Sequence, residues 1–225
     1  MYFSSLSLFA ATAVQVFTSS AAASAADNNN SNIMVKLEVY IESGCPVSQG
    51  FIADELTDIM SRSDIVSILE YKFVPFGNTY RADNGTFIGY DEEETITDGI
   101  ECCSLYKLSH ELSSIISGDT SLLAFPFTSC VEANKGLSSS AETCWTSTMS
   151  SSSDVTWDEV FKCSVDEFDK VMTTADIATP DSLDTVPYIL VDSTRYDQTT
   201  KVLLDNICTA YAAQGGDVTT LPSCQ

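Results

Sequence analysis

The chain of 225 residues carries 32 acidic and 10 basic side chains, which gives a formal net charge of −22 at pH 7. This excess of negative charge argues against nucleic acid and anionic membrane surfaces as partners, because both would repel it. The length is sufficient for one domain, or at most two, with a well-buried core.

The N-terminal segment is predicted to direct the chain into the secretory pathway. Residues 1–26 contain no charged side chain, and their apolar run, Leu6–Phe17, has the length of a signal peptide but is too short to span a bilayer. The small residues Ala23-Ser24-Ala25 suit a cleavage site, which predicts a signal peptide over 1–26 followed by a flexible polar spacer over 27–34. Two sequons predict N-glycosylation, at Asn29 and Asn84.

The folded domain is predicted to begin with a β-α-β unit. The stretch "VKLEVYIES", residues 35–43, alternates apolar and polar side chains, which predicts a strand. The next segment changes to a helical period, and Pro46 suits its first turn. Its apolar stripe consists of Ile52, Leu56, Ile59 and Met60. The stretch "ILEYKFVPFG", residues 68–77, predicts a second strand, parallel to the first and reached by a right-handed connection.

The middle of the chain is predicted to be mostly helical. Helices are expected over 98–116, around Val131 and, most clearly, in "TWDEVFKCSVDEFDKVM", residues 156–172. Thr156 and Glu159 are placed to form a capping box at the start of the last of these. The apolar positions expected in its core face are Trp157, Val160, Phe161, Phe168, Val171 and Met172.

The last part of the chain completes an α/β pattern. A strand is predicted in "VPYILVDS", and a final helix near "KVLLDNICTAYAAQ". The order β-α-β, several helices, strand and helix is that of a thioredoxin-like fold. The sequence therefore predicts one disulfide-stapled thioredoxin-like domain over 35–225, with a helical insertion at about 92–180.

The eight cysteines are expected to form mainly disulfides, because the chain is predicted to be secreted. No two form a C-x-x-C pair, and the one histidine, His110, lies in a predicted helix, so no metal site is predicted. If Cys45 is free, an odd number remains, and either Cys102 or Cys103 is the expected leftover. Cys224 is expected to pair with a nearby cysteine such as Cys208. The structural disulfide candidates are Cys102, Cys103, Cys130, Cys144, Cys163, Cys208 and Cys224.

Several stretches, in this order, resemble the gamma-interferon-inducible lysosomal thiol reductases from about Val35 to Cys224. They are "LEVYIESGCPVSQGF", "VPFGNTY", "GIECC", "SCVEA", "ETCW", "WDEVFKC", "VPYILVD" and "LLDNICTAY". The resemblance implies a thioredoxin-like fold and reduction of protein disulfides at acidic pH. It also implies a location in the secretory pathway, either lysosomal or vacuolar, or extracellular.

The motifs of this family are only partly present. Cys45 matches the first cysteine of the family's C-x-x-C pair, whereas Ser48 stands where the second belongs. The family's Cys-Gln-His-Gly signature and the Glu-Cys pair after it are echoed by Gly99 and Glu101-Cys102 in "TITDGIECC", without the leading cysteine and histidine. Alignment on Gly99 selects Cys103 instead. A divergent member of the family is therefore expected.

Cys45 is the predicted nucleophile. A cysteine immediately before a helix has its sulfur near unpaired backbone N–H groups and the positive end of the helix dipole, which favour the thiolate. Ser48 cannot resolve a mixed disulfide, but its hydroxyl is expected to hydrogen-bond to the thiolate. The expected mechanism is monothiol exchange on disulfide-containing proteins or peptides, either as reduction or as isomerisation by the substrate's own released thiol. An external small thiol such as cysteine or glutathione would be the reductant, and no other cofactor is expected.

Pro187 is the second candidate element of the site. The resemblance implies a cis-proline that faces the active cysteine, with the backbone of Val186 offered to an extended substrate. Pro46 is expected to border the same substrate site. The alternative is an ordinary trans proline that opens a strand.

Two functions remain open from the sequence. One is a monothiol disulfide exchanger, favoured because Cys45 and the proline after it are present. The other is a non-catalytic thioredoxin-like module that binds peptides and has lost reductase activity, favoured by Ser48 and the incomplete signature.

Overall fold

The computed structural model describes residues 33–109, 118–196 and 202–225. Its strands are β1 (Val35–Ile41), β2 (Leu69–Pro75), β3 (Tyr80–Arg81), β4 (Phe87–Ile88), β5 (Tyr188–Val191) and β6 (Thr194–Arg195). Its helices are α1 (Pro46–Phe51), α2 (Thr57–Met60), α3 (Ser63–Val66), α4 (Glu92–Ser109), α5 (Gly118–Ala133), α6 (Ser138–Thr148), α7 (Trp157–Asp166), α8 (Phe168–Ala178) and α9 (Leu203–Ala213). The predicted signal peptide, most of the predicted spacer, Asn29 and His110 lie outside these ranges. None of the described helices combines the length and the apolar composition that a membrane span requires.

The main sheet has the strand order β2-β1-β5-β6. In it, β1 runs parallel to β2 and antiparallel to β5, with Tyr40 opposite Tyr188 in the second pair. β6 then returns antiparallel to β5. A parallel β-α-β unit followed by an antiparallel hairpin on the other side of the first strand is the thioredoxin-like arrangement, so the predicted fold class is confirmed.

Both faces of β1 are covered, although its sequence alternates. Leu37 and Val39 are buried on one face, and Tyr40 and Glu38 are nearly as buried on the other. The Glu38 carboxylate accepts hydrogen bonds from the hydroxyl of Tyr40 and the ammonium of Lys72, which offsets the cost of removing it from water. Glu38 and Tyr40 therefore belong to the interior, whereas Lys36 on the same strand is partly exposed.

The helix after β1 is longer than the label α1 suggests. A π-helical turn at Ile52–Leu56 joins α1 to α2 without a break, since the backbone at both junctions stays helical. Pro46 occupies the first turn, as predicted, where its missing N–H costs nothing. Of the predicted stripe, Ile52, Leu56 and Ile59 are buried, and Met60 is partly buried.

In the chain, the helices α4 to α8 lie between β4 and β5. One helix predicted for this part of the chain is divided into two helices in the structure. The stretch 156–172 divides at Glu167, whose backbone leaves the helical region at φ −120 and ψ 13. The Glu167 carboxylate binds the ammonium groups of Lys107 and Lys170, which holds the junction against α4. The predicted capping box between Thr156 and Glu159 is confirmed.

The periodicity of this region also misplaced one aromatic side chain. Val160 is buried, but Phe161 is 52% exposed, so it does not belong to the predicted core face. With the helix divided after Asp166, its apolar stripe is only one or two turns long. Val160 and Cys163 form its buried side, and Phe161 lies on the solvent side, where its ring contacts that of Trp157.

Disulfides join the helices to each other and to the C-terminus. Cys103–Cys163 links α4 to α7, Cys130–Cys144 links α5 to α6, and Cys208–Cys224 ties the end of the chain to α9. The predicted pairing of Cys224 with Cys208 is confirmed. Each bridge limits the conformations open to the unfolded chain, which favours the folded state.

Candidate functional site

Cys45 lies where the end of β1 passes into α1. It is the N-cap residue, with extended backbone angles of φ −77 and ψ 116, and its carbonyl accepts the first helical hydrogen bond from the N–H of Gln49. Its own N–H donates to the carbonyl of Glu42 over 3.1 Å. The thiol is unpaired and partly exposed, as predicted. Its position is that of a nucleophile reachable from solvent.

The surroundings of Cys45 differ sharply between the solvent side and the interior. Pro46 is exposed, and Val47 has 59% of its surface in solvent. Ser48 is fully buried, and its hydroxyl has no hydrogen-bond partner among the described residues. The hydrogen bond expected between Ser48 and Cys45 is therefore not formed in this structure, because the hydroxyl is turned into the protein.

The loop before Cys45 is held from behind by α4. The N–H of Ser43 donates to Asp98 over 3.0 Å, and its hydroxyl lies 2.6 Å from Asp98 and 3.2 Å from Glu101. The N–H of Gly44 is hydrogen-bonded by Glu94. A Cβ on Gly44 would meet a carboxylate oxygen of Glu94 at 2.5 Å, so a side chain there would displace the Glu94 carboxylate.

A second set of contacts holds the same loop from α1 and from the turn after α5. The amide of Gln49 donates to the Ser43 carbonyl over 2.8 Å. Gly136, just beyond α5, has a φ of +58 and lies so close that a side chain there would overlap the Ser43 carbonyl. The position of Cys45 is thus set by α4 and α5 as well as by its own helix.

The buried carboxyl groups of α4 have unusual protonation equilibria. Burial raises the pKa of Asp98 to about 8, although the hydrogen bonds from Ser43 act in the opposite direction. Burial also raises the pKa of Glu94, at the start of the same helix. These groups keep protons at pH values where ordinary carboxyls have lost them.

Pro187 follows a cis peptide bond with Val186, so the predicted cis conformation is confirmed. The register of β1 with β5 pairs Tyr40 with Tyr188, and its continuation by one residue sets Pro187 beside Ile41. Pro187 is therefore at the same end of the sheet as the loop that leads to Cys45. Val186 lies beyond the last paired residue of β5 and is partly exposed. Its role in binding substrate remains a prediction.

Cys102, one of the seven disulfide candidates, is not in a disulfide. Consecutive residues point about 100° apart around a helix, so Cys103 faces α7 while the thiol of Cys102 faces β2 and the carbonyl of Pro75, 3.5 Å away. Burial, reinforced by the charges of Asp98 and Glu101, raises the pKa of this thiol well above its ordinary value. The leftover thiol is thus buried and kept protonated. The other six candidates are paired.

The remaining predictions concern glycosylation and metal binding. Asn84 is exposed in the turn between β3 and β4, where its side chain accepts a hydrogen bond from the N–H of Thr86. Within the described residues, no three histidine, cysteine or acidic side chains are arranged to hold a metal ion.

Sequence reasoning missed two buried carboxyl groups: Asp98 on α4, which contacts Ser43 in the Cys45 loop, and Glu132 on α5. The sequence did contain a signal for Asp98. When the chain is matched to the family's Cys-Gln-His-Gly signature at Gly99, Asp98 takes the position of the histidine. For Glu132 the sequence contains no comparable signal.

Comparisons with known proteins find similarity to one family of thiol reductases. The family model of gamma interferon inducible lysosomal thiol reductase (GILT) matches residues 36–148, half of the chain. A curated relative, the gamma-interferon-responsive lysosomal thiol protein of Arabidopsis thaliana, is 33% identical over 122 residues, which are 52% of this chain and 50% of that protein. The chain thus matches about half the length of this relative. Reduced DsbA from Mycobacterium tuberculosis aligns with a TM-score of 0.46 at 11% identity, over 80% of this chain and 89% of DsbA. The chain belongs to the gamma interferon inducible lysosomal thiol reductase family.

Proposed function

We propose that this protein is a thiol–disulfide oxidoreductase that acts by a monothiol mechanism, with Cys45 as its nucleophile. The observation that carries the proposal is the free, partly exposed thiol at the N-terminus of a helix, at the end of the sheet that also carries the cis-Pro187 bond. Thiolate is the attacking species in disulfide exchange, and a helix N-terminus favours it. Family membership supports the reaction class.

The reaction needs an external thiol because residue 48 is serine. The Cys45 thiolate attacks one sulfur of a substrate disulfide, which forms a mixed disulfide and releases the other substrate sulfur as a thiolate. A small thiol then attacks the Cys45 sulfur and releases the second substrate thiolate. The first small thiol is then bound to Cys45 as a mixed disulfide. A second small thiol attacks that adduct, frees Cys45 and leaves together with the first as their oxidised dimer. The substrate gains two electrons, and two small thiols supply them.

The substrates proposed are disulfide-containing proteins and peptides, bound as extended chains along Val186 and Pro187, with Pro46 at the border of the site. An exposed Val47 beside the thiol provides apolar surface for such a chain. The name of the Arabidopsis relative supports a lysosomal or related secretory location. The excess of acidic side chains is compatible with an acidic compartment, where part of this charge is neutralised.

The test is reduction of a peptide disulfide with glutathione or cysteine in excess, using the folded domain and its Cys45→Ala variant. Turnover is expected to fall to the uncatalysed rate in this variant, because no other exposed thiol is present among the described residues. Cys102→Ala is the matched control, since it removes the other free but buried thiol and should keep its activity. Undiminished turnover in Cys45→Ala would refute the mechanism.

The second candidate is a binding module without turnover, supported by Ser48 and its unpartnered hydroxyl. It predicts that Cys45 forms stable mixed disulfides or none, at any concentration of small thiol. The same assay distinguishes the two functions, because only the exchanger releases reduced substrate repeatedly.

A further inference from the structure

A cavity of about 430 Å³ is lined by β4, the loop after it and the start of α4. The side chains of Ile88, Tyr90 and Ile96 line it, and they expose 39%, 89% and 41% of their surfaces. Asp91 and Glu92, both exposed, line the same cavity, which is called the Tyr90 cavity below. Ligand sites in proteins are typically clefts of this size, largely apolar, with a few polar groups that orient the ligand.

The loop that carries Tyr90 is held in place by the start of α4. The N–H of Gly89 donates to the hydroxyl of Thr95 over 3.0 Å, and that hydroxyl donates to the carbonyl of Asp91 over 3.0 Å. The side chain of Asp91 also caps the helix, because it accepts a hydrogen bond from the N–H of Glu94 over 2.8 Å. An aromatic ring on a fixed backbone loses little conformational freedom when a ligand covers it. Tyr90 is therefore preorganised for contact.

One buried acid joins the Tyr90 cavity to the loop of the nucleophile. An oxygen of Glu94 accepts a hydrogen bond from the N–H of Tyr90 over 2.7 Å, and the other oxygen lies against Gly44, the residue before Cys45. These contacts bring the backbone of Tyr90 within roughly 10 Å of Gly44, the length of about three extended residues. An extended chain whose disulfide meets Cys45 is thus long enough to reach the cavity with a residue about four positions away.

The outer face of the β3–β4 hairpin continues this apolar surface. Tyr80 lies directly opposite Ile88 in the register, so the two exposed side chains share one face. The neighbouring pair position is turned inward, since Phe87 is buried and its ring packs on those of Phe76 and Phe168. The apolar side chains in solvent are therefore concentrated on the face that borders the cavity.

The charge at the cavity favours a cationic neighbour for the apolar side chain that enters it. The ion pairs between described residues include neither Asp91 nor Glu92. The guanidinium of Arg81, on β3, lies over the ring of Phe87 and donates to the carbonyl of Gly85. The two carboxylates add to the formal charge of −22, so an acidic segment would be repelled and a lysine or arginine attracted.

We propose that the Tyr90 cavity is a specificity site for substrate polypeptides that carry a large apolar side chain next to a lysine or arginine. This pair stands about four residues from the cysteine that Cys45 attacks. The apolar side chain packs against Tyr90, and the cation lies at Asp91 and Glu92. The inference rests on the proposed function for the nature of the occupant, a substrate chain, whereas binding at the cavity requires no disulfide exchange.

The test is binding of fluorescent ten-residue peptides to the protein with Cys45→Ala, followed by anisotropy. The peptides carry serine in place of cysteine, so disulfide chemistry takes no part. A peptide with Phe-Lys four positions from the serine should bind at least about tenfold more tightly than one with Gly-Lys, the effect of burying an aromatic side chain. It should bind about threefold more tightly than one with Phe-Glu, the effect of an exposed charge pair. Equal affinity for the three peptides would overturn the proposal.

Substitutions at exposed positions assign these preferences to the cavity. Tyr90→Ser should remove the preference for Phe-Lys over Gly-Lys, and Glu92→Lys should remove the preference for Phe-Lys over Phe-Glu. The matched controls are Ile177→Ser on α8 and Glu142→Lys on α6, which change exposed residues outside the cavity and should leave both preferences intact. Equal losses in the cavity variants and in their controls would overturn the proposal.

Protection of the thiol tests whether the cavity belongs to the site of Cys45. In wild type, a saturating Phe-Lys peptide should slow alkylation of Cys45 by iodoacetamide severalfold, because the chain between the cavity and the serine covers a partly exposed thiol. A peptide cut off beside the Phe-Lys pair on the serine side should bind without protecting. An unchanged alkylation rate with the longer peptide bound would overturn the placement of the cavity in the substrate site.

Two further outcomes separate this inference from its alternatives. Self-association that is lost in Tyr90→Ser, with no peptide binding, would assign the cavity to a second copy of the chain and overturn the proposal. Because binding and protection require no turnover, an inactive protein that shows both would refute the proposed exchange mechanism and leave this inference standing. An active protein that binds all three peptides equally would refute the inference alone.

Discussion

The two free cysteines lie in opposite environments of the same fold. Cys45 is a partly exposed N-cap residue with an unpaired thiol, beside exposed Pro46 and Val47. Cys102 lies in the middle of α4 with no exposure, against the carbonyl of Pro75. The first has the setting of a nucleophile, and the second that of a small apolar residue. What separates the two is access and local charge.

Asp98 connects these two environments. Its carboxyl accepts hydrogen bonds from Ser43 in the Cys45 loop, and its charge is one of the causes that keep the Cys102 thiol protonated. The same buried acid thus contacts the loop before Cys45 and helps to keep the Cys102 thiol protonated. Substitutions at Asp98, at Ser48 and at the two cysteines test whether the two thiols differ in reactivity and in their contribution to stability.

The largest effect is expected from Ser48→Cys, which would restore a C-x-x-C pair at the start of α1. Pre-reduced protein should then release reduced substrate without added small thiol, at least about tenfold faster than wild type, which should stop at the mixed disulfide. The measurement is single-turnover reduction of a peptide disulfide, with mixed disulfide followed by mass. Ser48→Ala is the control and should behave as wild type. A variant that still accumulates mixed disulfide would show that residue 48 cannot reach Cys45.

The structural features that the sequence predicted correctly are those that depend on residues close to one another in the chain. The alternation of β1, the first-turn position of Pro46 and the capping box at Thr156 each depend on residues a few positions apart. Cys45 was identifiable because a strand, a cysteine and a helix follow one another in the chain. The cis bond at Pro187 depended on the family resemblance, since only about 5–6% of X–Pro bonds in folded proteins are cis.

The buried carboxyl groups of α4 and α5 were not predictable because their burial depends on packing between distant segments. Asp98, Glu101 and Glu132 lie on helices whose sequences mix polar and apolar residues, which normally indicates a solvated face. Only the assembled fold shows that α4 and α5 cover the loop behind Cys45. The same limitation applies to Phe161, which is exposed although its neighbour Val160 is buried, and to the break that follows Asp166 at the end of α7. Periodicity cannot locate that break, because it depends on the contacts of Glu167 with α4.

The second-largest expected effect is a pH-dependent change in the free energy of unfolding when Asp98 is replaced. The pKa of Asp98 rises from about 3.8 in the unfolded chain to about 8 in the folded protein, so its contribution to stability is complete below pH 4 and is lost as pH rises through 8. Asparagine keeps the acceptor oxygen toward Ser43 and carries no charge. Asp98→Asn is therefore expected to be more stable than wild type near pH 8, by on the order of several kcal/mol at most. Near pH 4 the gain should disappear.

Urea unfolding at several pH values measures this difference. Asp58→Asn, on the exposed side of α2, serves as the control and should shift stability by less than about 0.5 kcal/mol at any pH. If the stability of wild type and Asp98→Asn differs by the same amount at pH 4 and pH 8, Asp98 is not a buried acid that titrates on folding.

The smallest expected effect is the difference in unfolding free energy between the variants that remove each of the two free thiols. Cys102→Ala removes a fully buried sulfur and should cost about 1–2 kcal/mol of unfolding free energy, since the helix and strand around it cannot collapse onto the space. Cys45→Ala removes a partly exposed sulfur and should change stability by less than about 0.5 kcal/mol. Thermal or urea unfolding of both variants at pH 5 gives the comparison. Equal losses would mean that Cys45 is also a packing residue, and the contrast between a reactive and a structural thiol would not hold.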